Sequence, residues 1–283
     1  MQTKARKDVE LRLQSIKTLQ TQPAVVAKIT KMLQNPATNA NELGDVIKAD
    51  LTLSSTVLRL VNSAFYGLTA RVGNINHAIV LLGLPTVRNI VLTASVLDMF
   101  KADAGSCNFD AHEFSRHSLA CGVIAQYLAQ TVGYEHKEEC FVAGLIHDIG
   151  KVTMLQVLPE DFKRVIECAD KTKTLFYDSE RKLSLGIDHQ DIGGMLVEQW
   201  RLPPEIHSAV LSHHNPPPDS ASAAIVHCAD VFARALGYGN GGDRSIPEIS
   251  DAAWDALKLS DVNLPNLFNN IEKIWCKADS YIV

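Results

Sequence analysis

None of the six cysteines in this 283-residue chain stands in a CxxC pair, so neither a zinc knuckle nor a dithiol redox motif is indicated. Cys107, Cys121, Cys140, Cys168, Cys228 and Cys276 fall mostly in apolar stretches and read as small buried hydrophobes in a reducing compartment. Positive charge is not in excess either. The net charge of -5 argues against a nucleic-acid-binding body, so no DNA contact is expected. No apolar run is long enough to span a bilayer. The nearest, "AIVLLGLPTVRNIVLTASVL" at 78–97, is broken by Pro85, carries Arg88, and reads as two amphipathic helices. The N-terminal "MQTKARKDVELRLQSIKTLQ" lacks the apolar core of a signal peptide, so the expected location is the cytoplasm, away from membranes. Alternation of period two is missing over any useful length, which excludes a sheet-built fold.

What the sequence does have is helix. "NANELGDVIKAD" (39–50) opens on Asn39 with Glu42 three residues later, the spacing of a capping box. "LSSTVLRLVNSAF" (53–65) places Val57, Leu58, Val61 and Phe65 on one face. "NINHAIVLLG" (74–83) and "PTVRNIVLTASVLDMF" (85–100) follow, the second with Pro85 in a first turn. A polar stretch, "KADAGSCNFD" (101–110), is the candidate boundary between an N-terminal lobe at 1–105 and a second part at 106–283. Beyond it come helices at 110–133, 137–158, 161–172, around 176–186, at 188–200, from Pro203 to His213, and at 221–237. "GYGNGGD" (237–243) reads as a flexible loop, and two or three short helices complete an all-α chain.

Nine of the ten histidines lie beyond residue 110. His147 and Asp148 interrupt the otherwise apolar "CFVAGLIHDIGKVTML", where an unpaired buried carboxylate costs several kcal/mol. Coordination of a divalent ion by an imidazole and a carboxylate removes that cost. A lone His-Asp pair is weak evidence, because such pairs are usually capped or exposed. Its companions strengthen it. Asp230 sits beside an apolar helix face, although its neighbours His227 and Arg234 allow a surface reading. His213-His214 ends a helix before three prolines, where histidines also suit the helix dipole. His189 follows Asp188 at a helix start, and His117 lies mid-helix one turn after Glu113. A helical bundle can gather His117, His147, Asp148, His189, His213, His214 and Asp230 around one centre, enough for two ions bridged by a carboxylate.

That succession resembles the HD metal-dependent phosphohydrolase superfamily, with its H…HD…D signature. "LQTQPAVVAKITKML", "LSSTVLRLVNSAFYG", "INHAIVLLGLPTVRNIVL", "FVAGLIHDIGK", "GIDHQDIGGMLVEQWRLPPEI" and "SHHNP" resemble more narrowly the HDOD family, the HD-related output domains of bacterial signalling proteins. The likeness runs from about residue 13 to about 235. It implies an N-terminal helical lobe packed on an HD-type helical bundle. By likeness to the related HD-GYP phosphodiesterases, one ion would use His117, His147, Asp148 and Asp230. The other would use His189, His213 and His214, with Asp148 bridging. Iron or manganese is implied first, zinc or magnesium next. Lys151 would touch a phosphate oxygen, unless it snorkels to the surface, and Glu113 would be an extra ligand or orient one. After His213-His214 the chain reads "NPPPDSASA" and lacks the GYP stretch, so cyclic-di-GMP is not implied as substrate. Two readings follow. One is a hydrolase acting on a phosphoester or nucleotide. The other is a non-catalytic regulator that contacts a signalling partner, its metal structural or sensory. A di-iron redox sensor is a third.

Overall fold

The structure is a computed structural model. It describes residues 39–62, 66, 68, 70–99, 109–183 and 185–279, together with Lys28 and Met32. The opening "LQTQPAVVAKITKML" segment, Phe65, Cys107 and most of the 101–110 boundary lie outside the described residues.

Among the described residues every regular element is helical. Among the described residues before position 100, four helices are complete: α1 (Ala40–Lys48), α2 (Leu51–Val61), α3 (Ile75–Leu82) and α4 (Leu84–Met99). Asn39 and Glu42 make the capping box that their spacing predicts. On α2, Val57 and Val61 are buried and Leu58 is half-buried. Gly83, at φ 82°, separates α3 from α4, so the apolar run at 78–97 folds as two helices.

The second part holds α5 (Ala111–Thr131), α6 (Lys137–Ile146), α7 (Ile149–Val157), α8 (Pro159–Thr172), α9 (Phe176–Lys182) and α10 (His189–Gln199). It continues with α11 (Pro204–Ser212), α12 (Ala221–Ala235), α13 (Asp251–Ala256), a 3₁₀ turn (Leu259–Asp261) and α14 (Leu264–Ala278). α5 is the central rod, in contact with α6, α12 and α14. Gly122 and Gly144 let α5 and α6 approach closely; a Cβ on Gly144 would lie 2.6 Å from the Cys121 carbonyl oxygen. One buried apolar core runs from Leu43 to Ala278 through both parts. Across them, Arg88 of α4 donates to Glu139, and the Asn89 amide donates to Glu138, at the first turn of α6.

The sequence predicts a single helix over 137–158. The structure breaks it at His147-Asp148, where Asp148 leaves helical geometry (φ -98°, ψ 13°). The Lys151 N–H donates to the Asp148 carbonyl three residues back, which starts α7 in a tightened turn. Contrary to the expectation that no run is long enough to span a bilayer, Lys137–Val157 is, among the described residues, the one stretch apolar and long enough to do so; 89% of its 18-residue apolar window is buried inside the fold. The C-terminal α14, at 15 residues, is longer than the short helices expected there.

Candidate metal centre

The break between α6 and α7 aims two adjacent side chains at one place. His147 is the C-cap of α6, and its ring Nδ1 lies 2.7 Å from the Gly144 carbonyl oxygen, an acceptor left free at the helix end. His213, the C-cap of α11, repeats the arrangement, with Nδ1 3.0 Å from the Val210 oxygen. His227 secures that corner: its Nδ1 donates to the His213 carbonyl at 2.7 Å, and its Nε2 accepts the Ser250 N–H. His189 is the first residue of α10. Its backbone N–H and ring Nδ1 both meet the buried Glu180 carboxylate, at 2.9 and 2.6 Å. With Nδ1–H engaged in each case, Nε2 of His147, His189 and His213 is the ring nitrogen that faces inward.

Seven predicted side chains converge, in two adjoining groups. The first gathers His117, His147 and Asp230 with Cys121. His117 Nε2 lies 3.0 Å from Asp230 Oδ1, and His147 Nε2 lies 3.9 Å from the same oxygen. The second gathers Asp148, His189, His213 and His214. There, His189 Nε2 is 3.3 Å from His213 Nε2 and 3.1 Å from His214 Nε2. Asp148 Oδ1 is 3.3 Å from His189 Nε2 and 3.6 Å from His213 Nε2. The groups meet where Asp148 Oδ2 stands 3.2 Å from His147 Nε2. Of the seven, only His214 exceeds 2% exposure; it is half-buried and stacks on Tyr177.

These donors fit a divalent ion. Ligand atoms about 2.0–2.1 Å from one tetrahedral ion stand roughly 3.3 Å from one another, the spacing of the second group. His147 Nε2 and Asp148 Oδ1 are buried without a hydrogen bond of acceptable geometry, which is costly unless a cation satisfies them. Burial pulls His213 down to about 4 and lowers His117 and His214, keeping these imidazoles neutral as ligation requires. For His189 burial also pulls downward, but Glu180 overrides it and lifts the ring to about 9, so an ion would displace a proton there. Burial opposes the charge on both aspartates. His147 and Lys151 nevertheless hold Asp148 well below the usual carboxylate range, and Arg234 and His117 do the same for Asp230.

Two cations accompany the carboxylates. Lys151 is fully buried, donating at 2.7 Å to Asp148 Oδ2 and at 2.7 Å to the Gly241 carbonyl, so it does not snorkel to the surface. Arg234, one turn after Asp230, donates to it at 2.7 Å and to Asp243 at 3.0 Å. The 237–243 segment, read from its glycines as flexible, packs against the centre instead. Asn240 N–H donates to the Glu113 carbonyl, and Gly239, at φ 78°, lies so close to α5 that a Cβ would strike His117 N. Outside this segment is a hollow lined by Arg234, Lys173, Arg244, Asp170 and Gly239–Ser245. The Glu113 carboxylate pairs with Arg116 at 3.1 Å and belongs to neither group. Sequence reasoning missed Cys121, Glu180, Arg234 and Asp243. Of these, Arg234, at i+4 from Asp230, and Cys121, at i+4 from His117, left a readable signal. Burial holds the Cys121 thiol well above its ordinary range.

A family profile described as the HDOD domain matches residues 19–216. The chain belongs to the HDOD family. The matched HDOD region ends before Asp230 and Arg234, so α12 completes the centre from beyond it. A crystallised HDOD domain protein of unknown function from Geobacter sulfurreducens is similar over 99% of this chain and 97% of its own, with 26% identity and a TM-score of 0.81. A candidate phosphohydrolase from Shewanella amazonensis SB2B shares the fold at 24% identity and a TM-score of 0.74, covering 96% of this chain and 98% of its own. An uncharacterized protein from Treponema pallidum (strain Nichols) is 24% identical over 196 residues, 69% of this chain. The match spans only 37% of that relative's length.

Proposed function

We propose that this HDOD protein is a metal-dependent phosphohydrolase of bacterial signalling, acting on a small phosphoester or nucleotide. The observation that carries the reading is the crowding of inward-facing imidazole nitrogens against two ionised carboxylates. His189, His213 and His214 would hold one ion, and His117, His147 and Asp230 another. Asp148 faces both groups. The donor set suits iron or manganese first, zinc or magnesium next. When bound, such an ion supplies Lewis acidity and lowers the pKa of water towards neutral. The chain itself contributes orientation and charge. Glu180, Gly144 and Val210 fix three rings, and the Lys151 ammonium is placed to stabilise negative charge developing on phosphate oxygens once it leaves Gly241. The Shewanella neighbour, at 24% identity, supports the fold alone, so the hydrolase reading stands on the donor set.

One observation favours a second reading, in which the ion is structural or sensory and the protein acts through a signalling partner. The 237–243 segment closes the His117 side, and Lys151 is already engaged by Asp148 and Gly241. Metal analysis of the purified chain, followed by a phosphodiesterase screen with manganese or iron added, separates the two. Turnover that disappears in Asp148→Ala supports the hydrolase. Stoichiometric metal without turnover on any phosphoester supports the second reading, and substoichiometric metal under every loading condition overturns both.

A further inference from the structure

His147, His189 and His213 obtain their Nδ1 partners in two different ways. His147 and His213 end helices, and each uses the carbonyl three residues back, which the terminating helix leaves free. His189 begins a helix. At a helix start the orphan groups are N–H donors, so no free backbone carbonyl is at hand, and the carboxylates of Asp188 and Asp191 are engaged with each other's backbone N–H in a capping box. Its backbone N–H is itself one of those orphans. Two donors of one residue therefore need two acceptors from elsewhere in the chain.

Glu180 of α9 supplies both. Oε1 accepts the His189 backbone N–H at 2.9 Å, and Oε2 accepts the ring at 2.6 Å. The carboxylate is 1% exposed and, among the described residues, accepts hydrogen bonds from His189 alone. A buried carboxylate that serves one residue through both of its oxygens is a costly device for packing alone.

We infer that Glu180 is a positioning residue of the metal centre: it keeps the His189 proton on Nδ1 and turns Nε2 to the ion. This rests on the metal reading above. Partners of this kind orient a ligand and raise its basicity, and their loss typically costs about 10–100-fold in metal affinity. The glutamine variant is informative because it keeps the shape and loses one acceptor. If its oxygen serves the backbone N–H, its NH₂ faces Nδ1 and drives the proton to Nε2, where it blocks ligation. If its oxygen serves Nδ1–H, its NH₂ faces the backbone N–H, donor against donor. A role in packing alone predicts a tolerated glutamine; the positioning role predicts that glutamine fails about as badly as alanine.

The test is manganese and zinc binding by the full chain, measured by competition with a chelator, for wild type, Glu180→Gln and Glu180→Ala. Thermal melts select variants that fold. The expected result is a loss of about 10–100-fold in both variants. Wild-type affinity in a folded Glu180→Gln would overturn the inference while leaving the metal reading in place. No binding by wild type would overturn both. Nitrogen-15 NMR of the wild-type His189 ring keeps the test decisive if neither variant folds. A proton on Nδ1 and none on Nε2 in the metal-loaded chain supports the inference, and a proton on Nε2 overturns it.

Discussion

The Lys151 ammonium lies 2.7 Å from the Asp148 carboxylate, with both groups at most 1% exposed. Removing one partner of such a buried pair strands the other, at a cost of about 3–5 kcal/mol. Asp148→Leu is expected to lower the unfolding free energy by that order, read as a lower urea midpoint, and to abolish metal loading. Pairing it with Lys151→Met should restore most of the stability without restoring the metal. Denaturant titration and metal analysis of the two variants check this, and full metal content in Asp148→Leu would contradict it.

Arg234 is held between Asp230 and Asp243. Arg234→Leu leaves two buried carboxylates without their guanidinium, a loss of about 3–5 kcal/mol. Added manganese should recover part of the lost melting temperature, because the ion neutralises Asp230 in its place. An equal fall with and without manganese would show that the two cations do not substitute for each other.

The metal-stripped protein should be most stable near roughly pH 6.5, the ordinary histidine value. Burial takes His213 to about 4 and lowers His117 and His214, so on acidification below roughly 6.5 the unfolded chain binds more protons and stability falls. His189 has the opposite sign: lifted to about 9, its contribution is complete below roughly 6.5 and is lost as pH rises through its folded value. Metal loading should remove the alkaline loss, because a ligating nitrogen carries no proton. Melting curves from pH 4 to 9, with and without manganese, test the sign. A stripped protein that keeps gaining stability up to pH 9 would contradict it.

Gly239→Ala places a side chain at φ 78° and against the His117 backbone. The strain is about 1–3 kcal/mol, and the least costly relief is for the segment to lift from α5. Extraction of bound manganese by a chelator should then be faster than in wild type, measured by stopped flow. An unchanged rate would mean that metal exchange does not pass this segment.

The all-α architecture was legible because helical periodicity, the Asn39–Glu42 box and proline placement act within a few residues. The seven converging side chains were legible through the order of His117, the His147-Asp148 pair, His189, the His213-His214 pair and Asp230. The break at His147-Asp148 was not, since apolar periodicity continues through it and the interruption follows from what the two side chains face. Glu180 looks like one charge among several in "FYDSERK", and its burial against His189, at the start of α10, is a tertiary fact. Glycines at 237–243 have the composition of a mobile turn; that two of them are needed for contact with α5 and Arg234 is a tertiary fact.

α6 carries His147 at one end and is tied to α4 at the other through Glu138 and Glu139. Ten helical residues make a stiff lever about 15 Å long. Among the described residues, α6 thus runs from the side chains that bind α4 to one imidazole of the centre.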